Sequence, residues 1–273
     1  MPELPEVETV KESLKKLVLN KKIVDVVVRY PNIVSESTVE DFINNLKNQT
    51  ICDIKRRGKW LMFELNDYYL LSHLRMEGKY LIREENVPYE KHEHVIFIFS
   101  DKTELRYKDT RKFGRMILVS KKDIGNCDTL KKVGMEPFDS NLTQAYLLAK
   151  YKMKKIPIKT ALLDQSIIAG IGNIYADEIL FLSHINPLKP CNEITENEAK
   201  QIIKNTSDVL KKAILKGGTT IRSYESSEGV HGNFQGDLLV HNKEGEECVN
   251  CKGKIVKITV NTRGTYYCPN CQK

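Results

Sequence analysis

The sequence predicts an α+β protein, and three observations support this fold class. One amphipathic helix at the start is followed by a series of short β-type runs separated by turn residues. From about residue 143 the pattern becomes helical. Residues 237–273 then form a small β unit with four clustered cysteines. Many short strands after a single helix are typical of a β-sandwich or a barrel.

The first helix is predicted at residues 5–20, where Val7, Val10, Leu14 and Val18 recur at helical spacing. Turn residues such as Asn66-Asp67 divide the segment that follows into short strands. The predicted strands span residues 23–30, 50–56, 60–65, 68–73, 78–82, 94–99, 104–108 and 115–119.

The second half predicts helices at residues 143–153, 158–164 and 174–184. A capping box from Thr195 to Glu198 starts another helix, which ends at Gly217-Gly218. We expect an N-terminal domain at 1–133, a linker at 134–142, a helical domain at 143–236 and a terminal unit at 237–273. Within the helical domain, residues 217–236 are rich in glycine and serine and predict a mobile loop.

Composition and charge limit the classes of protein to which the chain can belong. The chain has 273 residues, 41% of them apolar, and no apolar run reaches membrane-spanning length. The N-terminus carries acids where a signal peptide needs basic residues, so we expect a cytosolic protein. The formal net charge is +7, and residues 151–159 hold four lysines and no acid. Such a cluster suits a polyanion such as nucleic acid, or it is a solvated surface run.

The first three residues carry a potential nucleophile. Removal of Met1 would leave Pro2 as the N-terminal residue, with Glu3 beside it. An α-amino group has a pKa of about 7.7–8.0, so part of it is unprotonated at neutral pH. An unprotonated amine beside a carboxylate can attack a sugar carbon or a carbonyl. The alternative is an ordinary leader into a helix.

Two Cys-x2-Cys pairs, sixteen residues apart, lie near the C-terminus. Their members are Cys248, Cys251, Cys268 and Cys271. This spacing predicts one structural Zn²⁺ with four thiolates and no open position, with iron as the alternative metal. Disulfides fit a reducing compartment less well. The remaining cysteines, which are Cys52, Cys127 and Cys191, are expected to be small buried residues.

Several loops carry residues suited to nucleic acid. Arg263 lies at the tip of the hairpin between the cysteine pairs. It is either a ligand for phosphate or an exposed turn residue without a function. The turn from Gly170 to Asn173 precedes a helix, a geometry that binds phosphate and resembles a helix-turn-helix. Lys59 lies where a turn enters a strand.

Two further loops lie between predicted strands, at residues 72–78 and 109–114. On base rates, Met76 and Phe113 are core residues and His73 is structural. Phe113, however, has cations on both sides, including Arg111. An exposed aromatic among cations could enter a base stack while its neighbours hold phosphates.

Together these features resemble bacterial formamidopyrimidine-DNA glycosylases from end to end. The matching blocks are PELPEVE at 2–8, RRGK at 56–59, SHLRMEG at 72–78, KHEHV at 91–95, RKFG at 111–114, GIGNIYADE at 170–178, GGTTIRSY at 217–224 and RGT at 263–265. The resemblance implies an N-terminal β-sandwich with a leading helix and a C-terminal helix–two-turn–helix domain. It also implies a zinc-ribbon hairpin at the end of the chain and DNA bound in the cleft between the domains.

The resemblance implies four catalytic residues. Pro2 would attack C1′ of a damaged nucleotide and form a Schiff base with the sugar, and Glu3 would move protons at the opening sugar. Lys59 would assist β-elimination and contact phosphate, and Arg263 would serve the later δ-elimination and bind phosphate.

It also implies a set of DNA contacts. Met76, Arg111 and Phe113 would fill the gap left by the everted base, with Arg111 facing the orphaned cytosine and Phe113 wedging the stack. The remaining contact positions are His73, His92, Lys154 and Asn173. The loop at 217–236 would close over the lesion.

The implied function is base-excision repair by a bifunctional glycosylase and AP lyase acting on oxidised purines, such as 8-oxoguanine, in double-stranded DNA. We expect a monomer without a catalytic cofactor or a membrane association, in the bacterial cytoplasm at the nucleoid. One alternative is an endonuclease VIII-like enzyme for oxidised pyrimidines, against which Leu4 argues because that branch resembles PEGPE. Another is a non-catalytic zinc-ribbon DNA-binding protein, which would leave Pro2-Glu3 unexplained.

Two departures from the family pattern occur near the C-terminus. Asn261-Thr262 precedes Arg263 where the family often has small residues. His241-Asn242 replaces a more usual tyrosine-and-glycine pattern, which puts one phosphate contact in question.

Overall fold

The computed structural model describes residues 1–219 and 232–273. They form two compact units: residues 1–131 make up the first, and residues 132–219 with 233–273 make up the second. Most of the predicted loop at 217–236 lies outside the described residues. The finer division into four domains stays a prediction.

The elements follow the predicted order. The helices are α1 Leu4–Val18, α2 Val39–Leu46, α3 Asp128–Lys131, α4 Gln144–Tyr151, α5 Ile158–Leu163, α6 Asn173–Leu182 and α7 Glu196–Leu215. The strands are β1 Ile23–Val28, β2 Val34–Ser35, β3 Asp53–Arg57, β4 Trp60–Glu64, β5 Tyr68–His73, β6 Lys79–Glu84, β7 Glu93–Phe99, β8 Thr103–Lys108, β9 Arg115–Ser120, β10 Val256–Val260 and β11 Arg263–Tyr267.

The first unit is a β-sandwich, as predicted. One sheet has the order β1-β7-β8-β6 and the other the order β2-β9-β5-β4-β3. A single apolar core joins them, with Phe97 from the first sheet and Phe63 from the second in the same buried cluster. Val7 and Leu14 of α1 belong to this cluster, so the leading helix covers the sandwich.

Three of these helices and strands of the first unit were not predicted, namely α2, β2 and α3. In α2, Thr38 caps the helix by accepting a hydrogen bond from the backbone N–H of Asp41 at 3.0 Å, and Phe42 is buried. The two-residue strand β2 pairs in parallel with β9. One expectation was wrong: Cys52 is exposed, because it lies just before β3 at the sheet edge, whereas Cys127 and Cys191 are buried.

The second unit contains the predicted helices. Thr195 and Glu198 form the expected capping box at the start of α7, and Thr143 caps α4. The C-terminal ribbon is the antiparallel hairpin β10–β11. Its apolar core, with Val240, Cys248 and Cys268, packs on Phe181 of α6.

Candidate functional site

The N-terminal pair Pro2-Glu3 is held at the start of α1. Glu3 is the N-cap residue and only 3% exposed, and Pro2 is buried as well. The backbone N–H of Glu3 donates to the carboxylate of Glu6 at 2.9 Å, and its carbonyl accepts from Val7 at 3.0 Å. The direction of the first residues is therefore fixed by the helix.

Lys59 lies in a two-residue turn, Gly58-Lys59, which joins β3 to β4. Gly58 has φ 55°, the left-handed conformation that such hairpin turns require at this position. The neighbouring Arg56 donates to the Glu8 carboxylate of α1 at 2.6 Å and to the Gly58 carbonyl at 3.0 Å. This ion pair ties the turn to the beginning of α1, so Lys59, which is 4% exposed, and Pro2-Glu3 are carried by elements that pack together.

His73 ends β5 opposite Trp60, whose ring it meets edge-on at 4.9 Å. Its Nδ1 accepts a hydrogen bond from the backbone N–H of Arg75 at 3.0 Å. Burial, and to a smaller extent the charges of Arg75 and Lys59, lower the pKa of His73 from 6.5 to about 3. The ring is therefore neutral at physiological pH with its proton on Nε2, so it can donate a single hydrogen bond to a phosphate.

Phe113 is exposed rather than part of the core. Its side chain is 54% exposed, and the Arg111 guanidinium lies 4.9 Å from its ring centroid. Met76, on the other predicted loop, is half-buried. Phe113 therefore meets the condition stated for entering a base stack, because its aromatic side chain is exposed and a cation lies against it.

Asp109 organises the Phe113 loop, a role that the sequence analysis missed. One oxygen of this buried carboxylate accepts from the backbone N–H of Arg111 at 3.0 Å. The other accepts from Phe113 at 2.9 Å and from Gly114 at 2.7 Å. A carboxylate with several backbone donors fixes a loop strongly, because each bond is charge-assisted. The sequence contained a signal for this role, namely an aspartate directly after a predicted strand and a few residues before Arg111 and Phe113.

Two glycines allow the loops at residues 72–78 and 109–114 to pack on one tyrosine. A Cβ built on Gly78 or on Gly114 would overlap the hydroxyl oxygen of Tyr107. Tyr107 belongs to β8 and is fully buried. Its hydroxyl thus lies against both glycines. Gly78 ends the SHLRMEG block, two residues after Met76, and Gly114 ends the RKFG block, directly after Phe113.

We expect Gly114→Ala to lower the free energy of unfolding by about 1–3 kcal/mol, the usual cost of overpacking a core. Urea denaturation of the variant measures this. Gly125→Ala is the matched control, since a Cβ there meets nothing within 4 Å. Tyr107→Phe should restore part of the loss in the Gly114→Ala background because the overlapping oxygen is removed. Equal stability of the two glycine variants would contradict the proposed packing.

His92 adopts a left-handed backbone with φ 72°, and so does Lys112 with φ 57°. Both line a pocket of about 220 Å³ together with Arg29, Tyr30 and Lys91. Lys112 is further held over the Tyr30 ring at 4.8 Å. Non-glycine residues in this conformation are strained and often mark functional sites. Arg29, Lys91 and Lys112 outnumber Glu93, which also lines the pocket, so the site suits an anion.

The second unit carries Lys154, Asn173 and Arg263. Lys154 is half-buried, with its ammonium 3.7 Å from Asp164. Asn173 begins α6 and donates from Nδ2 to the Gly264 carbonyl at 3.0 Å. An amide NH₂ has a second hydrogen that remains for a phosphate. Arg263 is exposed and begins β11.

The departure Asn261-Thr262 forms the tight turn that precedes Arg263. Val260 pairs with Arg263, and the two loop residues have φ 44° and 66°, as a type I′ turn requires. Threonine is β-branched and adopts this conformation at a cost. The hairpin tip is therefore strained at the residue next to Arg263.

The other departure, His241, is buried within the second unit. Its Nδ1 lies 2.7 Å from Asp177 Oδ2, and its ring meets Tyr266 edge-on at 5.0 Å. The adjacent Glu178 accepts from the backbone N–H groups of residues 239–241 at 2.7, 3.0 and 2.9 Å. Burial raises the pKa of Glu178, whereas these bonds act in the opposite direction. The acidic pair of the GIGNIYADE block therefore attaches the ribbon to α6.

The four clustered cysteines fit a zinc ion. Their sulfur atoms all lie within 4.8 Å of one another. The Cys248–Cys271 and Cys251–Cys268 sulfur distances are 3.8 and 3.5 Å. A tetrahedron with Zn–S bonds of about 2.3 Å places its sulfurs about 3.8 Å apart. The ribbon thus holds a closed structural zinc site.

The predicted site residues fall on both units. Pro2, Glu3, Lys59, His73, Met76, His92, Arg111 and Phe113 belong to the first, and Lys154, Asn173, Arg263 and the four cysteines belong to the second. Within residues 1–219 and 232–273, none of the helices has the length and apolar character needed to cross a bilayer.

Three family models match the chain. The formamidopyrimidine-DNA glycosylase N-terminal domain matches residues 1–116, and the H2TH domain of that family matches residues 133–225. The zinc finger found in FPG and IleRS matches residues 245–273.

Similar proteins match this chain over almost its full length. Formamidopyrimidine-DNA glycosylase of Listeria monocytogenes is 46% identical, with 100% of both chains covered, and that of Bacillus cereus is 48% identical, with 100% of this chain and 99% of the relative covered. The Lactococcus lactis Fpg in complex with abasic-site DNA is 40% identical, with a TM-score of 0.92 over 99% of both chains. MutM in complex with DNA containing carbocyclic 8-oxo-G gives the same identity and TM-score over 100% of both chains. The chain therefore belongs to the formamidopyrimidine-DNA glycosylase family.

Proposed function

We propose that this protein excises oxidised purines from double-stranded DNA and then cuts the strand at the resulting abasic site. The observation that carries the proposal is the buried Pro2-Glu3 pair at the start of α1, tied by the Arg56–Glu8 ion pair to the turn that bears Lys59. The DNA-bound relatives support the substrate, because they hold abasic, Fapy-dG or 8-oxo-G lesions.

The chemistry begins with the Pro2 nitrogen, freed by removal of Met1. This amine attacks C1′, the N-glycosidic bond breaks, and the base leaves with the bonding electrons and takes up a proton. Glu3 moves protons at the sugar as its ring opens and the nitrogen and C1′ become an imine. The imine withdraws electrons and acidifies the C2′ proton, so the 3′ phosphate leaves by β-elimination. Lys59 assists this step, and Arg263 assists the following loss of the 5′ phosphate.

The damaged base must first leave the duplex, because C1′ and the edges of the base are inaccessible inside the stack. Unstacking costs a few kcal/mol. Phe113 wedges the stack, and Met76 fills the gap. Arg111 faces the orphaned cytosine. The rigid frame of this wedge is the Asp109 carboxylate, which holds three backbone N–H groups of the loop.

Backbone phosphates are the remaining contacts. We assign them to His73, His92, Lys154, Asn173 and Arg263. His73 donates from a neutral ring, whereas the lysine and arginine contribute charge and therefore salt dependence. The zinc ion is structural: it stabilises the hairpin that presents Arg263. We place the protein at the nucleoid in the bacterial cytoplasm, acting as a monomer.

Borohydride trapping tests the proposal. A duplex with 8-oxoguanine opposite cytosine, incubated with the protein and sodium borohydride, should give a covalent adduct, because hydride reduces the imine to a stable amine. Peptide mapping should place the adduct on Pro2, and the intact mass should lack Met1. Pro2→Gly, which retains a less suitable primary amine, should weaken strand cleavage.

Two results would reject the assignment. One is undiminished trapping by Pro2→Gly with the adduct on Lys59. The other is a mature chain that retains Met1. Faster excision from a duplex with an oxidised pyrimidine would favour the endonuclease VIII-like alternative instead.

A further inference from the structure

Lys159 is a fully buried cation, at 0% exposure, in the first turn of α5. Its ammonium lies 2.7 Å from Asp177 Oδ1. It also donates to the Gly264 carbonyl at 3.0 Å and to the Thr265 hydroxyl at 2.8 Å. The three contacts join α5, α6 and β11. None of the steps proposed above uses this residue.

Burying such an ion pair is a poor way to gain stability. Desolvation costs several kcal/mol per ion, and apolar replacements of similar volume are often neutral or stabilising. The ammonium instead fixes the position of the chain, because its bonds to Gly264 and Thr265 hold the residues immediately after Arg263 in one place. Asp177 is itself oriented by His241, whose Nδ1 lies 2.7 Å from the other carboxylate oxygen.

The hairpin tip is attached at further points. Asn173 of α6 donates to the same Gly264 carbonyl at 3.0 Å. On the other side of Arg263, Asn261 donates to the Thr160 hydroxyl of α5 at 2.9 Å. Arg263 therefore lies between two attached neighbours, whereas its own side chain is exposed.

The tip needs this support. An isolated two-stranded hairpin is marginally stable in water. Here the turn also contains Thr262 in a left-handed conformation with φ 66°. Without attachment, the strained turn could relax, and the direction of the Arg263 side chain would change with it.

We propose that Lys159 is a positioning residue for Arg263, acting through the Gly264 carbonyl and the Thr265 hydroxyl, with Asp177 and His241 orienting it. The proposal rests on the role assigned to Arg263 in the proposed function. A misplacement of about 1 Å can cost a hundredfold in rate, so loss of this support should impair the step that Arg263 serves.

The test is a double-mutant cycle on a duplex with a preformed abasic site. The measured quantity is the ratio of the product that has lost both phosphates to the product that has lost one. Lys159→Met should lower this ratio about tenfold to a hundredfold, as should Arg263→Ala, and the double variant should be no worse than Arg263→Ala. With the duplex saturated by protein, borohydride trapping by Lys159→Met should change less than about twofold, because the imine forms before the step that Arg263 serves. Lys159→Arg should restore part of the ratio.

Lys189→Met is the matched control, because it breaks another lysine–carboxylate pair of the second unit, to Glu198 at 2.6 Å. If Lys159→Met loses zinc or fails to fold, Thr265→Val decides, since it removes the hydroxyl that accepts from Lys159 and leaves the ammonium paired with Asp177. It should lower the same ratio about fivefold, the usual value of one hydrogen bond.

Additive effects of Lys159→Met and Arg263→Ala would overturn the proposal, as would an unchanged ratio in a folded Lys159→Met or Thr265→Val protein. If Arg263→Ala alone leaves the ratio unchanged, the role of Arg263 in the proposed function is wrong. If trapping is absent in the wild type, the Schiff-base chemistry itself is wrong.

Discussion

Replacing Cys251 with alanine is expected to release zinc and to unfold residues 245–273. The tetrahedral site loses one of four ligands, and structural zinc contributes about 10–16 kcal/mol of apparent folding free energy in small zinc domains. The apolar cluster of the ribbon contains the ligands Cys248 and Cys268 themselves, so loss of the metal site also disrupts the packing of this cluster. Arg263 lies on this hairpin, so DNA affinity should fall by more than tenfold.

Zinc content by elemental analysis and the affinity for an abasic-site duplex measure this result. Cys52→Ala is the matched control: it removes an exposed thiol of the first unit and should leave both quantities unchanged. Unchanged zinc content in Cys251→Ala would contradict the four-cysteine site. Zinc loss with full DNA affinity would contradict the role of the hairpin.

Local patterns predicted most of the fold. The predicted strand at 68–73 coincides with β5, and the Thr195 capping box begins α7 as expected. Both features depend on residues close together in sequence. The strand is recognised from alternation between two turns, and the helix start from capping of the backbone by a side chain. The misses have two origins. The two-residue strand β2 exists only through its pairing with β9, which lies far away in sequence. The helix α2 was missed although its Thr38 cap is a local signal.

The candidate site divides in the same way. Residues with distinctive chemistry, such as Pro2, Phe113 and Arg263, could be named from motifs. The groups that hold them could not, because their partners come from distant parts of the chain. The ammonium of Lys159 bonds to a hydroxyl 106 residues away, and the Glu178 carboxylate meets N–H groups more than 60 residues away. Sequence shows such residues only as polar positions within apolar helices.

Glu3→Gln is expected to lower excision of 8-oxoguanine by about 10²–10⁴-fold, the range that general acid–base groups contribute. The amide has nearly the same shape, and the backbone N–H of Glu3 keeps its bond to Glu6, so the start of α1 should be unchanged. A glutamine side chain cannot exchange a proton with the opening sugar. Strand cleavage at a preformed abasic site should fall much less, because the sugar there has lost its base and opens to the aldehyde without Glu3.

Single-turnover rates on the two duplexes separate these steps. Glu12→Gln is the matched control: it changes the same functional group on the same helix, but its side chain is 58% exposed and its partner is Lys11. Trapping on the abasic duplex should persist in Glu3→Gln, since the Pro2 nitrogen is still present to form the imine. An equal loss on both duplexes would show that Glu3 serves the elimination steps rather than opening of the damaged sugar. Full excision by Glu3→Gln would remove Glu3 from the proposed mechanism and leave its buried carboxylate with a capping role alone.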